Sequence, residues 1–321
     1  MDFRSASSYS AGYEVLRIVD ERRGRPIHLD LWYPAEQPER EHSYGLGAGR
    51  VACAAPIARG RFPIALLSHG AMGAASNYSW LAEHLARRGL VVLGVSHFAE
   101  SPVFGLASVD PASVGRFGDR TRDLGFALEF ALGRSALASS LDPDRVGAIG
   151  HSSGGASILM LAGAEFSAAD LATYCRSAAA GSDKGCSYDV PDERNSEAHV
   201  PVRSPRRIAA LVAMDPAVGP GFSDRGLRAI AVPALVIGSV HNDFLPYPFH
   251  AGRIAGRIPA AVVVRLDAGE GHFVYLDVGA APLEVMGVPL FRDRPGVDRE
   301  AVHARLAAAI GSFLARHLGA V

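Results

Sequence analysis

The chain has 321 residues, of which 49% are hydrophobic and 20% charged, and its formal net charge is −1 at pH 7. This composition is typical of a globular protein with a large core, and it excludes a largely disordered chain. The balanced charge gives no basic surface for nucleic acid, and no apolar run is long enough to span a bilayer. No secretory signal is recognisable after Met1, so we expect a cytoplasmic protein.

Apolar, β-branched runs alternate with helical patterns along the chain, as they do in repeated βαβ units. Strands are predicted at residues 14–20, 27–33, 63–68, 90–95, 146–149, 208–214, 233–238 and 261–266, and helices at 78–88, 119–141 and 298–318. We therefore expect one α/β domain over residues 1–321, with a mostly parallel twisted sheet and helices on both faces.

Two segments depart from this alternation. Residues 39–61 are rich in Gly, Ala and Pro and are predicted to form a loop, and residues 163–207 form a long insertion with a short helix at 166–175. Because long structureless loops are uncommon inside compact domains, we expect the insertion to form a partial cap. It contains Cys175 and Cys186, whose pairing the sequence leaves open, although a cytoplasmic location favours free thiols.

The sequence GHSSG at residues 150–154 carries the strongest functional signal. It follows a predicted strand and precedes a run of small and apolar residues that predicts a helix. This context is typical of a nucleophile elbow, a sharp turn that exposes its central serine and needs glycine at its flanks. The N-terminus of the helix directs free N–H groups toward that serine. We therefore predict Ser152 as a nucleophile, and we expect the neighbouring His151 to point away and to be structural.

A nucleophilic serine needs a base to remove its proton and an acid to orient the base. In this arrangement the acid precedes the histidine along the chain, and both follow the serine. His272, in the glycine-containing loop after the strand at 261–266, is the predicted base. Two aspartates are candidates for the acid. Asp243, after the strand at 233–238, occupies the commonest position and is preferred, and Asp215, at the end of the strand before it, is the alternative.

Acyl transfer also needs N–H donors for the oxyanion. One donor is expected from Ser153, the residue after the nucleophile, and the other from the loop that follows the strand at 63–68. This loop reads SHGAMG at residues 68–73, and Ala71 is the best-placed donor in it.

Together these motifs resemble the serine α/β-hydrolase superfamily over residues 14–318. More narrowly, the chain is similar to bacterial dienelactone-hydrolase-like proteins and to platelet-activating-factor acetylhydrolases. The matching sequences are LDLWYP at 29–34, FP at 62–63, LSHG at 67–70, GHSSGG at 150–155, MDP at 214–216 and GHF at 271–273. The resemblance implies an α/β-hydrolase fold and acyl chemistry.

The chain departs from one of these families in its nucleophile, and the resemblance does not decide which aspartate orients His272. Dienelactone hydrolases use a cysteine nucleophile where this chain has Ser152, so their activity does not carry over. Acetylhydrolases of the platelet-activating-factor type place the acid where Asp215 lies, whereas related bacterial lipases and cutinases place it after the next strand, where Asp243 lies.

The expected function is hydrolysis of a small carboxylic ester through a Ser–His–Asp acyl-enzyme, with neither a metal nor an organic cofactor. A thioesterase, an amidase or an acyltransferase would use the same residues, and a non-catalytic binding protein on this fold is a further alternative. Met72, Phe98, Phe104 and Phe244 are candidates for lining a substrate pocket. The sequence specifies neither the acyl preference nor the oligomeric state.

Overall fold

The structure, a computed structural model, describes residues 9–188, 208–259 and 261–319. Its strands are β1 (Ser10–Asp20), β2 (Arg25–Ala35), β3 (Arg40–Ser43), β4 (Ala48–Cys53), β5 (Phe62–Ser68), β6 (Val91–Ser96), β7 (Leu141–His151), β8 (Ala210–Met214), β9 (Ala234–Ser239), β10 (Ala261–Leu266), β11 (Glu284–Val285) and β12 (Val288–Pro289). Its helices are α1 (Ser79–Arg87), α2 (Phe117–Arg134), α3 (Ser153–Leu161), α4 (Ala168–Cys175), α5 (Asp224–Arg228), α6 (Ala251–Ala255) and α7 (Arg299–Leu318).

Strands β1 to β10 form one mixed sheet in the order β10-β9-β8-β7-β5-β6-β2-β1-β4-β3. From β10 to β6 every neighbouring pair is parallel, whereas β2 is antiparallel to both β6 and β1. The prediction of a mostly parallel sheet is therefore confirmed. Parallel strands share one carboxyl edge, and in open α/β sheets ligands bind outside that edge.

Alternate residues of the central strands pack into two hydrophobic layers on opposite faces of the sheet. Ile64 and Leu66 of β5 belong to the layer that contains residues of α2 and α3. Ala65 and Leu67 belong to the layer that contains residues of α1 and α7. Burial on both faces explains why β5 is a continuous apolar run rather than an alternating one.

Helix α2 is shorter than predicted: it ends at Arg134, whereas its sequence pattern extended to residue 141. The backbone at Ser135 is extended, and the Ser135 hydroxyl donates to the carbonyl of Ala131. Leu141 is already the first residue of β7, where it pairs with Phe62. Pairing within the sheet therefore overrides the helical pattern at this end.

The predicted loop at 39–61 contains a hairpin instead. Strands β3 and β4 pair antiparallel, and β4 lies parallel to β1 at the far edge of the sheet. Only Val51 and Ala52 of β4 are buried, and this apolar signal is too short to identify a strand from sequence.

The first part of the insertion packs against the fold. The expected short helix is α4, which begins at Ala168 after the Ser167 side chain caps the N–H of Asp170. Cys175 and Cys186, for which the sequence analysis favours free thiols, form a disulfide instead. Residues 189–207, the remainder of the predicted cap, lie outside the described residues. Within the described ranges, no helix combines the length and the hydropathy that crossing a membrane requires.

A buried ion pair supports the turn that follows β5. Arg120 of α2 and Glu100 make two hydrogen bonds of 2.7 and 2.8 Å, and both side chains are almost wholly buried. The same guanidinium donates to the carbonyls of His69 at 2.8 Å and Gly70 at 3.3 Å. Charged hydrogen bonds of this kind are stronger than neutral ones, so they hold the turn in one shape.

Two neutral histidines complete this support. The backbone N–H of His97 donates to Nε2 of His69 at 3.0 Å, which leaves Nδ1 of His69 to donate to the carbonyl of Gly70 at 2.6 Å. The His97 ring lies between the Ser68 hydroxyl and the Asp123 carboxylate. Burial holds the pKa of both histidines well below its usual value. Each ring therefore acts as a neutral donor and acceptor.

Replacing Arg120 by methionine would leave the buried carboxylate of Glu100 without its partner. We expect this change to lower the free energy of unfolding by about 3–5 kcal/mol, measured by urea denaturation. The double variant Arg120→Met/Glu100→Gln should recover part of the loss, because no unpaired charge remains buried.

An exposed ion pair provides the control. Arg225 and Glu165 also approach to 2.8 Å, but the Arg225 side chain is 84% exposed. Arg225→Met should therefore leave the unfolding midpoint unchanged. A loss at Arg120→Met no larger than at Arg225→Met would contradict the role assigned to the buried pair.

Candidate active site

Ser152 lies in a strained turn between β7 and α3. Its backbone has φ = 54° and ψ = −121°, a combination that L-residues rarely adopt. A Cβ atom on Gly150 would overlap the backbone of Gly154, and one on Gly154 would overlap the carbonyl of Ser68. The turn therefore requires glycine on both sides of the serine, which is the physical basis of the GHSSG pattern.

The His272 ring is in hydrogen-bond contact with this serine. His272 begins a short 3-10 turn after β10, and its Nε2 lies 3.0 Å from Oγ of Ser152. The Phe244 ring stacks on the imidazole with a centroid separation of 5.2 Å and an angle of 12° between planes. Burial lowers the pKa of His272 to about 3, although the charge of Asp243 opposes this shift. The imidazole is therefore held neutral, the form that can accept a proton.

Asp215 faces the other nitrogen of that ring. It follows β8, and its Oδ2 lies 3.7 Å from Nδ1 of His272. Its Oδ1 accepts the N–H of Ser239 at 2.8 Å, while Oδ2 has no hydrogen-bond partner among the described residues. Burial raises the pKa of Asp215 to about 7. A buried, unpaired oxygen directed at the imidazole is a candidate partner for Nδ1–H, and such contacts are commonly longer before substrate binds.

Asp243, the acid that the sequence analysis prefers, contacts the same histidine through its backbone. Its Oδ1 accepts the main-chain N–H of His272 at 3.0 Å, and its Oδ2 lies 3.5 Å from Nη2 of Arg294. The Asp243 side chain is 27% exposed. The structure thus places Asp215 at the ring and Asp243 beneath the turn that carries it.

Asn242 is a site residue that the sequence analysis does not identify. Its Oδ1 accepts the N–H groups of Phe244 and Leu245, which places its Nδ2 3.3 Å from Nδ1 of His272. When Nδ1 carries the imidazole proton, both nitrogens are donors, so Asn242 then contacts the ring without a hydrogen bond to it. Nothing in the spacing of the chain distinguishes this asparagine from an ordinary turn residue.

The His151 ring lies beside the His272 ring, with centroids 4.7 Å apart, and it joins two other segments. Tyr78 accepts the N–H of Gly70 at 3.0 Å, and its hydroxyl lies 2.7 Å from Nδ1 of His151. Nε2 of His151 lies 3.0 Å from the carbonyl of His272. Donation from this nitrogen leaves Nδ1 to accept from Tyr78. A single chain of hydrogen bonds therefore connects the turn after β5, the elbow and the turn of the base.

The two predicted oxyanion donors lie in segments that border the nucleophile. A Cβ atom on Gly70 would be only 3.4 Å from Cβ of Ser152, so the turn that carries Ala71 passes directly beside it. Ser153 is the first residue of α3, and N–H groups in the first helical turn have no acceptor four residues earlier.

An apolar pocket opens beside Ser152, and its empty space together with the open solvent at its mouth amounts to about 470 Å³. The aromatic rings that line it belong to Phe117, Phe166, Tyr188 and Phe244. The other lining side chains are aliphatic or small, and none of the described lining residues is charged. A site of this composition suits an uncharged, apolar group.

Phe244 is therefore the one of the four pocket candidates named from sequence that lines the described pocket. Phe98 and Phe104 pack edge to face against each other, with centroids 5.4 Å apart. Across the described parts of the chain, no group of three His, Cys, Asp or Glu side chains is arranged to hold a metal ion.

The raised pKa of Asp215 predicts a pH-dependent cost to stability. Above about pH 7 the carboxyl is ionised in both the folded and the unfolded chain, and burial penalises the folded form. Below about pH 4 it is protonated in both, and the penalty disappears. We expect Asp215→Asn to stabilise the fold at pH 8, on the order of 2–4 kcal/mol, and to have little effect at pH 4.

Thermal unfolding at the two pH values tests this prediction, and Asp243→Asn is the matched control, because its carboxylate is partly exposed. The interpretation fails if Asp215→Asn has the same effect on stability at both pH values.

Comparisons with known proteins bear on the fold. No protein-family model matches the chain. The chain is 26% identical to cutinase est2 of Thermobifida alba over 161 residues, which are 50% of this chain and 47% of that protein. It thus spans about half the length of this curated relative. The solved structure of a ferulic acid esterase from Streptomyces cinnamoneus superposes with a TM-score of 0.65 and 19% identity, covering 98% of this chain and 91% of the other. The chain therefore has the α/β-hydrolase fold.

Proposed function

We propose that the protein hydrolyses carboxylic esters, with Ser152 as nucleophile, His272 as general base and Asp215 as the orienting acid. The observation that carries the proposal is the line of three buried groups, in which Nε2 of His272 lies 3.0 Å from the Ser152 hydroxyl and Nδ1 faces Asp215 at 3.7 Å. A strained serine in contact with a neutral imidazole has no evident structural purpose, because strain of this kind destabilises the fold.

In the first half of the reaction, His272 takes the Ser152 proton as Oγ attacks the ester carbonyl. The tetrahedral intermediate carries its negative charge on the former carbonyl oxygen, which the N–H groups of Ala71 and Ser153 stabilise. Asp215 stabilises the imidazolium that forms. Collapse of the intermediate breaks the bond to the alcohol, which leaves with the proton from His272, and the acyl group remains on Ser152.

In the second half, His272 removes a proton from water, which attacks the acyl-enzyme. The second tetrahedral intermediate releases the carboxylic acid, and Ser152 regains its proton. These steps need only the chain's own residues and water.

The relatives support this choice of reaction. The matched cutinase and the superposed ferulic acid esterase are both named as ester hydrolases. We also assign the chain to the dienelactone-hydrolase-like and acetylhydrolase-like branch. The support is the position of Asp215 at the end of β8, since the resemblance to acetylhydrolases of the platelet-activating-factor type places the acid there.

A fluorophosphonate probe tests the nucleophile. Because these reagents modify serines that a neighbouring base activates, we expect one adduct, mapped to Ser152 by mass spectrometry and absent from heat-denatured protein. Ser152→Ala should lose both the adduct and hydrolysis of p-nitrophenyl butyrate, with kcat reduced by roughly 10⁴-fold or more. An unlabelled folded protein that turns over none of the esters would contradict the proposal.

The choice of acid has its own test. Asp215→Asn should lower kcat by about 10³- to 10⁴-fold, because an amide does not stabilise the imidazolium. Asp243→Asn removes a contact to the backbone of His272 and should lower kcat by no more than about tenfold. Steady-state kinetics of both variants at pH 8 decides between them, and the reverse order of effects would assign the role to Asp243.

A further inference from the structure

The loop between Cys175 and Tyr188 is anchored to the fold by a buried hydrogen bond between His250 and Asp183. Oδ2 of Asp183 lies 2.7 Å from Nε2 of His250, and both side chains are at least nine-tenths buried. The N–H of Gly219 donates to Nδ1 of His250, so Nε2 carries the proton that binds Asp183. The ring is thereby fixed from both sides, and the loop is fixed with it.

Two further constraints act on the same loop. The Cys175–Cys186 disulfide closes the loop two residues before Tyr188, across a sequence separation of 11 residues. The N–H of Lys184 donates to the carbonyl of Phe244 at 2.9 Å. Phe244 also stacks on His272, so the loop contacts the same segment that covers the imidazole.

The anchored loop forms one side of the pocket beside Ser152. Gly185 and Tyr188 are both lining residues. A Cβ atom on Gly185 would approach Cδ2 of Leu245 to 2.7 Å, so the backbone of the loop lies directly on that side chain. The Tyr188 ring faces Phe244 across a centroid separation of 6.5 Å.

This pocket is placed to receive the acyl half of an ester rather than the alcohol half. The leaving alcohol must lie beside Nε2 of His272, which gives it a proton. His272 is not among the lining residues, whereas Ser152 and Ser153 are. The group that stays attached to Ser152 is the acyl group.

We propose that the disulfide-closed loop 175–188 is the wall of the acyl pocket, and that Tyr188 limits the length of the acyl chain. The substrates it selects are esters whose acyl group carries no charge and consists of a short or medium aliphatic chain or an aromatic ring. This inference rests on the proposed ester hydrolysis at Ser152. Because no charged side chain among the described lining residues pairs with a second carboxylate, the pocket disfavours esters of dicarboxylic acids.

A series of p-nitrophenyl esters from acetate to dodecanoate tests the wall. In the wild-type protein kcat/KM should rise by about fourfold for each methylene that the pocket buries, and should fall once the chain reaches Tyr188. Tyr188→Ala should move the optimum about two carbons longer while leaving acetate hydrolysis nearly unchanged. A hemisuccinate ester should be about 100-fold poorer than the butyrate.

Tyr9→Ala is the matched control, since Tyr9 is also half-buried but packs on Phe62 away from the pocket. This control should keep the wild-type optimum. An identical chain-length profile in wild type and Tyr188→Ala would overturn the proposal.

The disulfide provides a second, independent test. Cys175→Ser/Cys186→Ser should raise KM for the preferred ester by about tenfold and flatten the chain-length profile, while Cys53→Ser, at the exposed free cysteine, should change neither. An unchanged KM and profile in the double variant would overturn the role of the loop.

The rate of fluorophosphonate labelling at Ser152 distinguishes failure of the acyl-pocket proposal from failure of the proposed ester hydrolysis. If Ser152 is labelled normally but Tyr188→Ala keeps the wild-type chain-length profile, the role of loop 175–188 is refuted and ester hydrolysis is not. Absence of both labelling and turnover in the wild-type protein refutes ester hydrolysis, and the wall with it.

Discussion

The candidate active site depends on one chain of hydrogen bonds, which runs from Gly70 through Tyr78 and His151 to the carbonyl of His272. The elements that carry these groups are joined by long stretches of sequence, and pairing within the sheet does not by itself fix the turns at its edge relative to one another. The chain of hydrogen bonds supplies that alignment. Its members are buried, so a break anywhere would leave an unpaired polar group and is strongly disfavoured.

Burial shifts the pKa values of the two titratable groups beside Ser152 in opposite directions. It lowers the pKa of His272 and raises that of Asp215, so at neutral pH the fold opposes charge on either group. In the proposed reaction, the imidazolium that forms has a carboxyl group already oriented toward it, and no solvent must reorganise. The same burial lowers the free energy of unfolding, a cost that is common where groups are preorganised for catalysis.

The sequence predicts those parts of the fold and site that follow from local rules. The parallel sheet, Ser152 and the loop that carries His272 are recognisable because strand patterns, glycine requirements and chain order are local or ordered signals. The sequence does not decide between Asp215 and Asp243, because both follow strands at the same edge of the sheet. Only the three-dimensional packing determines which carboxylate lies at the His272 ring. The contacts of Asn242 and Arg120 cannot be recognised from the sequence for the same reason, since their partners lie far away in sequence or are backbone atoms. The end of α2 was missed because pairing of Leu141 with Phe62 competes with the helical pattern.

Both cysteines of the disulfide lie within the insertion, and this has a consequence for how the pocket can change. The bond cross-links the loop internally, and beyond the main chain itself the loop is held to the rest of the molecule by hydrogen bonds of Asp183 and Lys184. The loop is therefore an internally cross-linked segment that hydrogen bonds hold beside the pocket. Under the proposed function, substitutions in this segment would change which acyl groups the pocket accepts without disturbing the strands that carry Ser152 and His272.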